Sequence, residues 1–200
     1  MQIAVLTFEG FNELDSFIAA GLLNRLSARG WQAQITCPGE QATSMNGVQV
    51  RAQQALEFAN QADVVLFGSG IQTRAIAEDR TILERLQLDP SRQLIGAQCS
   101  GALLMAKLGL LDNLPACTDL TSKPWVVEAG VQVLDQPFFA QGHLATAGGC
   151  LSAPYLAAWV IAKLAGEEAC AEALHYVAPV GEKQRFVERA LAVVRPYLQG

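Results

Sequence analysis

Two hundred residues, 51% of them hydrophobic and only 16% charged, are enough for one domain with a sizeable core. A net charge of −5 argues against a nucleic-acid surface, because phosphate binding needs a concentrated basic patch and none is visible. The opening MQIAVLTFEGF lacks the charged n-region and cleavage pattern of a signal peptide, and no apolar run reaches the ~20 residues of a membrane span. These features predict a soluble cytoplasmic protein, with no membrane or nucleic-acid partner, whose partner is a small molecule or another protein.

Ile3 to Thr7 reads as a short apolar strand. From about Leu14 to Leu26 apolar residues recur at helical spacing until Arg29-Gly30 closes the helix. Trp31 to Cys37 alternates as a second strand. A turn at Pro38-Gly39 and a hairpin around Asn46-Gly47 precede Val48 to Arg51, followed by a helical stretch near Glu57 to Asn60. Val64-Val65-Leu66-Phe67 is the continuous apolar run of a strand covered on both faces, and it opens into the small-residue loop Gly68-Ser69-Gly70. A helix carrying Ile76, Ile82, Leu83 and Leu86 leads to the next strand. Later, Val131-Gln132-Val133 and Leu144-Ala145-Thr146 read as strands around a Gln141-Gly142 turn. Ser152 to Leu164 is a very apolar helix, and Arg185 to Leu198 a final amphipathic one. Repeated β-α units with no Pro-, Gly- or Ser-rich linker predict a single domain over residues 1–200, a three-layer α/β/α sandwich around a mostly parallel sheet.

The chemistry centres on LIGAQCSGALLMAKLGLLD. There Leu94 and Ile95 end a buried strand, Gly96-Ala97 stay small, and Gly101 to Ala106 begins a helix with strong formers. Cys99 thus falls at a strand-to-helix turn, where first-turn amides and the helix dipole favour a thiolate. A small buried hydrophobe is the competing reading of the same cysteine. The other cysteines, 37, 117, 150 and 170, show no CxxC or Cys/His spacing, so reduced thiols are expected rather than a disulfide frame or a metal site.

Three segments carry a family resemblance. FEGFNELD is similar to an F-P-x-x-x-x-L-D opening, AQCSGALLMAKLGLLD to V-C-T-G-[SA]-x-x-L-x-x-A-G-L-L, and LATAGGCLSAPYLAAWVIAKLAG to L-x-T-x-G-G-x-x-[AS]-x-x-D-x-x-L. Together they resemble the DJ-1/PfpI (ThiJ) superfamily, related to class I glutamine amidotransferases, and within it the isocyanide hydratase-like branch. The resemblance implies a flavodoxin-like sheet with a cysteine nucleophile elbow, Cys99 as nucleophile and Asp15 as the acid that moves protons to and from substrate. Physically, a carboxyl beside a thiolate is held toward its protonated form and can donate, then accept, a proton. Asp15 also reads as an ordinary acid in a helix's first turn.

Ser100 stands where the hydratases carry a threonine, and its N–H, as the residue after the nucleophile, is placed to stabilise a developing anion. Gly68-Ser69-Gly70 stands where the family has P-G-G. The N–H of Gly70 or Ile71 would complete an anion-stabilising pair, with a plain strand-to-helix turn as the alternative. Asp119, in Ala116-Cys117-Thr118-Asp119, occupies the approximate place of the histidine in A-T-T-H-W. The chain's two histidines, His143 and His175, read as surface or structural residues, so a Cys-His triad is not expected.

Peptidase or glutaminase action is disfavoured accordingly, and a cofactor-free addition is expected: hydration of a small electrophile, with isocyanide to N-substituted formamide as the specific reading. The alternatives are a glyoxalase-type enzyme acting on reactive dicarbonyls and a non-catalytic cysteine-based redox sensor or binding protein. The resemblance also implies a homodimer paired through the first helix, for which Phe11, Phe17, Ile18 and Leu22 offer an apolar surface or an intramolecular core.

Overall fold

The computed structural model describes residues 1–199. In chain order the elements are β1 (Gln2–Leu6), α1 (Glu13–Leu23), β2 (Gln32–Cys37), β3 (Gln41–Thr43), β4 (Gln49–Arg51), β5 (Gln54–Ala55), β6 (Val64–Phe67), α2 (Thr73–Ile76), α3 (Arg80–Leu83), β7 (Leu94–Gln98), α4 (Gly101–Lys107), α5 (Lys123–Glu128), β8 (Phe138–Gln141), β9 (Leu144–Ala147), α6 (Ala153–Ala165), α7 (Glu167–Val177) and α8 (Lys183–Val194). Seven strands form one sheet in the order β5-β2-β1-β6-β7-β9-β8, while β3 and β4 make a separate hairpin. Every pairing in the large sheet is parallel except β8 with β9.

The apolar runs dictate this layering because successive side chains of a strand point to opposite faces. Ile3, Val5, Val64 and Leu66 pack into one cluster with α1, α6, α7 and α8. Their neighbours Ala4, Leu6, Val65 and Phe67 pack into a second cluster with α4 and α5 on the other face. Trp159, fully buried in α6, lies against Phe138 of β8 with ring centroids 6.4 Å apart. Burying such a side chain contributes on the order of 2–3 kcal/mol, so a strand with residues in both clusters is held from both sides.

Three local expectations are corrected. The first helix ends at Leu23 instead of Leu26 and continues as a 3-10 turn over Asn24–Arg29. The cause is Asn24, whose side chain both donates to the Ala33 carbonyl and accepts from the Ala33 N–H, at 2.9 Å each, tying the helix end to β2. The helix expected across Ile76 to Leu86 is two short ones, because Asp79 accepts from the Thr81 N–H and starts α3 afresh. Val131 to Val133 contributes one isolated bridge, Ala116 to Val133. The strand beside β9 is β8, whose Phe138 is buried against Trp159. Lys123 and Pro124 start α5, proline being tolerated in a first helical turn.

Candidate active site

β1, β6, β7 and β9 are adjacent and parallel, so the loops leaving their carboxyl ends converge on one edge of the sheet. Chain order runs outward in both directions from the β1/β6 boundary, the kind of switch point where open α/β sheets form a crevice. Each of the four loops delivers one group: Asp15 after β1, Ser69 after β6, Cys99 after β7 and Cys150 after β9.

Cys99 occupies the elbow in the left-handed region, at φ 47°, a conformation costing a non-glycine residue about 1–3 kcal/mol. Its backbone is held on both sides. The Cys99 N–H donates to the Ala147 carbonyl at 2.8 Å, and the Thr118 hydroxyl donates to the Cys99 carbonyl at 2.8 Å. Close packing of α4 against β6 depends on Gly101, where a Cβ would stand 2.8 Å from the carbonyl oxygens of both Phe67 and Gly68.

Asp15 lies in the first turn of α1, which is capped by the Asn12 side chain accepting from the Leu14 N–H at 3.0 Å. The carboxyl is 2% exposed. Its Oδ2 accepts a short hydrogen bond from the Ser69 hydroxyl, while Oδ1 is buried with no hydrogen-bond partner among the described residues. One ligand atom each from Asp15, Cys99 and Cys150 all lie within 4.8 Å of one another. Asn12 Nδ2 donates to Cys150 Sγ at 3.2 Å. Gln98 Nε2 donates to the Gly149 carbonyl at 2.9 Å and points its second contact at Cys99 Sγ, 3.6 Å away.

Burial pushes the Asp15 carboxyl above the usual carboxylate range, against the lowering influence of the Ser69 hydroxyl and of the Cys99 and Cys150 thiols close by. Burial, and after it the negative charge of Asp15, pushes the Cys99 thiol up as well. The dipole of a helix of seven residues does not overcome this desolvation, so burial, and not the helix end, sets the direction in which the Cys99 thiol is shifted. A thiophilic cation would find two sulfurs and one carboxylate oxygen here, and would have to displace the protons of the two thiols.

The remaining predicted residues are placed as follows. The Ser100 hydroxyl accepts from the Gly70 N–H at 3.1 Å and bonds Thr73 Oγ1 at 2.8 Å. The Ile71 N–H donates to the Gly10 carbonyl at 3.0 Å. Gly70 and Ile71 therefore direct their amides to the neighbouring loops after β7 and β1, and the Ser100 N–H is the one of the three with no acceptor among the described residues. Asp119 Oδ1 caps its own turn, accepting from the N–H groups of Thr121 and Ser122 at 2.9 and 3.0 Å, and it adds a negative charge that raises both Asp15 and Cys99. His143 bonds the Pro90 carbonyl at 2.8 Å, and His175 sits on α7. Sequence reasoning passed over Asn12, Ser69 and Gln98 and expected Cys150 only as a reduced thiol. The one local signal was that Cys150 follows Gly148-Gly149 at the end of a strand.

The DJ-1/PfpI family profile matches residues 1–163. The chain belongs to the DJ-1/PfpI family. Solved structures of this superfamily share the fold at low identity. Schizosaccharomyces pombe DJ-1 is 16% identical with a TM-score of 0.76, covering 90% of this chain and 100% of its own. Drosophila melanogaster DJ-1beta is 24% identical with a TM-score of 0.75, covering 88% and 96%. A ThiJ/PfpI family protein from Pseudomonas syringae is 18% identical with a TM-score of 0.77, covering 96% and 90%. No curated protein matches at the sequence level. The expected α/β architecture and the DJ-1/PfpI assignment both hold, and no helix among the described residues is long and apolar enough to cross a membrane.

Proposed function

We propose that this DJ-1/PfpI protein is a cysteine-dependent hydratase of small electrophiles, with an isocyanide as substrate and the N-substituted formamide as product. The observation that carries the reading is the buried Asp15 carboxyl beside Cys99, with His143 bonded to the Pro90 carbonyl and His175 out on α7. Burial raises the Asp15 carboxyl, which suits it to exchange a proton with a neighbouring thiol, and addition to a neutral electrophile needs such a shuttle more than a preformed thiolate.

The sulfur of Cys99 attacks the terminal carbon of the isocyanide. Asp15 protonates that carbon and receives the thiol proton in return, giving a thioimidate. Water then adds to the same carbon, one of its protons reaching nitrogen through Asp15. The carbon–sulfur bond breaks as the hydroxyl proton returns to sulfur. The sum is one isocyanide plus one water to one formamide, with both side chains restored. Ser69 keeps Asp15 oriented, and the Ser100 N–H supports charge that develops on the substrate.

The test is steady-state loss of an aryl isocyanide with the formamide identified, for the wild type, Cys99→Ala and Asp15→Asn. Turnover that vanishes with Cys99→Ala and falls roughly 100-fold or more with Asp15→Asn supports the reading. Turnover of methylglyoxal and none of the isocyanide would replace it with the dicarbonyl reaction.

We also propose a homodimer through α1. Of the four apolar residues expected on that surface, Phe11 and Leu22 belong to the core at 1% exposure each, because each closes over an apolar cluster of its own chain. The outward residues are Phe17 and, beside it, Leu14, 39% and 49% exposed. A light-scattering mass of one chain at micromolar concentration would overturn the dimer.

A further inference from the structure

Cys99 and Cys150 stand far apart in sequence but leave neighbouring parallel strands at the same level, since Gln98 pairs in register with Ala147. Their sulfurs and a carboxylate oxygen of Asp15 fall within one 4.8 Å cluster. Two further observations distinguish this pair from chance neighbours. The first is the Asp15 carboxyl, which is buried with one oxygen in the same cluster as both sulfurs, where it can take a proton from either thiol. The second is unequal access. Cys99 is 3% exposed, whereas Cys150 is half-buried and lines a cavity of about 370 Å³ that also includes Tyr155 and the exposed Arg189.

We propose that Cys99 and Cys150 form a reversible intramolecular disulfide by exchange with small disulfides that carry carboxylates. Entry is at Cys150, because of the two cysteines it is the more exposed and the one that lines the cavity, and Arg189, which lines it too, supplies a cation for the anionic substituents. The Cys150 thiolate attacks one sulfur of the small disulfide, forming a mixed disulfide and releasing the first small thiol. Cys99 then attacks the Cys150 sulfur as its proton passes to Asp15. The Cys99–Cys150 bond forms, the mixed disulfide breaks, and the second small thiol leaves with a proton. The protein loses two electrons and two protons, and the small disulfide gains them. Excess small thiol reverses both steps. Asp15 is the group that makes the buried sulfur a nucleophile, the thiolate being the reactive form. The proposal does not rest on hydration of any substrate.

The experiment incubates the full chain with oxidised and reduced glutathione at set ratios, quenches with acid and maps the cysteine peptides by mass spectrometry. The chain has five free cysteines, of which Cys37, Cys117 and Cys170 are buried and serve as internal controls. Two thiols should disappear together, with the Cys99 and Cys150 peptides linked, and excess reduced glutathione should restore both. Cys99→Ser should stop at a glutathione adduct on Cys150, and Cys150→Ser should leave Cys99 unmodified. Asp15→Asn should accumulate the same Cys150 adduct in an otherwise complete thiol set, with resolution slowed at least about tenfold and its rise with pH displaced. A wild-type adduct on Cys150 that never resolves, or glutathione that modifies neither cysteine, would overturn the proposal.

Discussion

Cys99 and Cys170 are both buried thiols pushed upward by desolvation, yet their surroundings differ in kind. Cys170, on α7, lies in the apolar cluster formed with α6 and α8. Its sulfur donates to the Ala158 carbonyl at 3.4 Å, and the thiol is pushed up to about 12. Cys99 has a buried carboxyl, a second thiol and the Gln98 amide around its sulfur. Burial by itself makes a cysteine an inert space-filler. What separates the elbow from α7 is an adjacent group able to take the thiol proton, placed on a different strand-end loop and therefore invisible to local sequence.

The largest effect that would break this contrast is on turnover. Cys99→Ala should lower isocyanide hydration at least about 1,000-fold, equivalent to roughly 4 kcal/mol of transition-state stabilisation, while Cys170→Ala leaves the rate within about twofold. Equal losses in the two variants would mean that the cysteines act only through the fold. Next, Asp15→Asn should cost roughly 100-fold in the same assay, and the remaining activity should lose the pH dependence that Asp15 imposes.

A smaller effect concerns how the elbow is built. Gly101→Ala places a methyl 2.8 Å from the Phe67 and Gly68 carbonyls and should destabilise the chain by about 1–3 kcal/mol in denaturant unfolding. Unchanged stability would show that α4 can move off β6 without cost.

The smallest effect sharpens the account of Asp15. Its folded-state pKa lies above the unfolded value, so between the two values the folded chain keeps a proton that the unfolded chain has lost. Stability therefore falls as pH rises through that window, and it is fully present below the unfolded pKa. Asp15→Asn should match the wild type in acid and exceed it near neutrality by on the order of 1 kcal/mol, read by denaturant titration at the two pH values. A variant less stable at neutral pH would mean that the Ser69 hydrogen bond outweighs the desolvation of the carboxylate.

Some elements could be read from the sequence because their cause is local. The run Val64 to Phe67 is apolar at every position, and its strand is covered on both faces. The hairpin around Asn46-Gly47 forms between β3 and β4 as its turn chemistry requires. The elbow at Cys99 follows from a buried strand running into small residues and helix formers. Where side chains from distant segments intervened, local reading failed: Asn24 reached across to β2 and ended α1, and Phe138 with Trp159 placed β8 where Val131 to Val133 was expected.

The amino-acid sequence by itself determined the layered α/β architecture, the strand-to-helix turn at Cys99 and the acid in the first turn of α1, because periodicity, glycine placement and capping act over a few residues. Tertiary structure alone decided that Cys150 joins Cys99 and Asp15, that the Gly70 and Ile71 amides turn inward, and that the Cys99 thiol is raised rather than lowered. The physical reason is common to all three. Parallel pairing of β1, β6, β7 and β9 brings four loops to one edge of the sheet, and burial there outweighs the dipole of the short helix that follows Cys99.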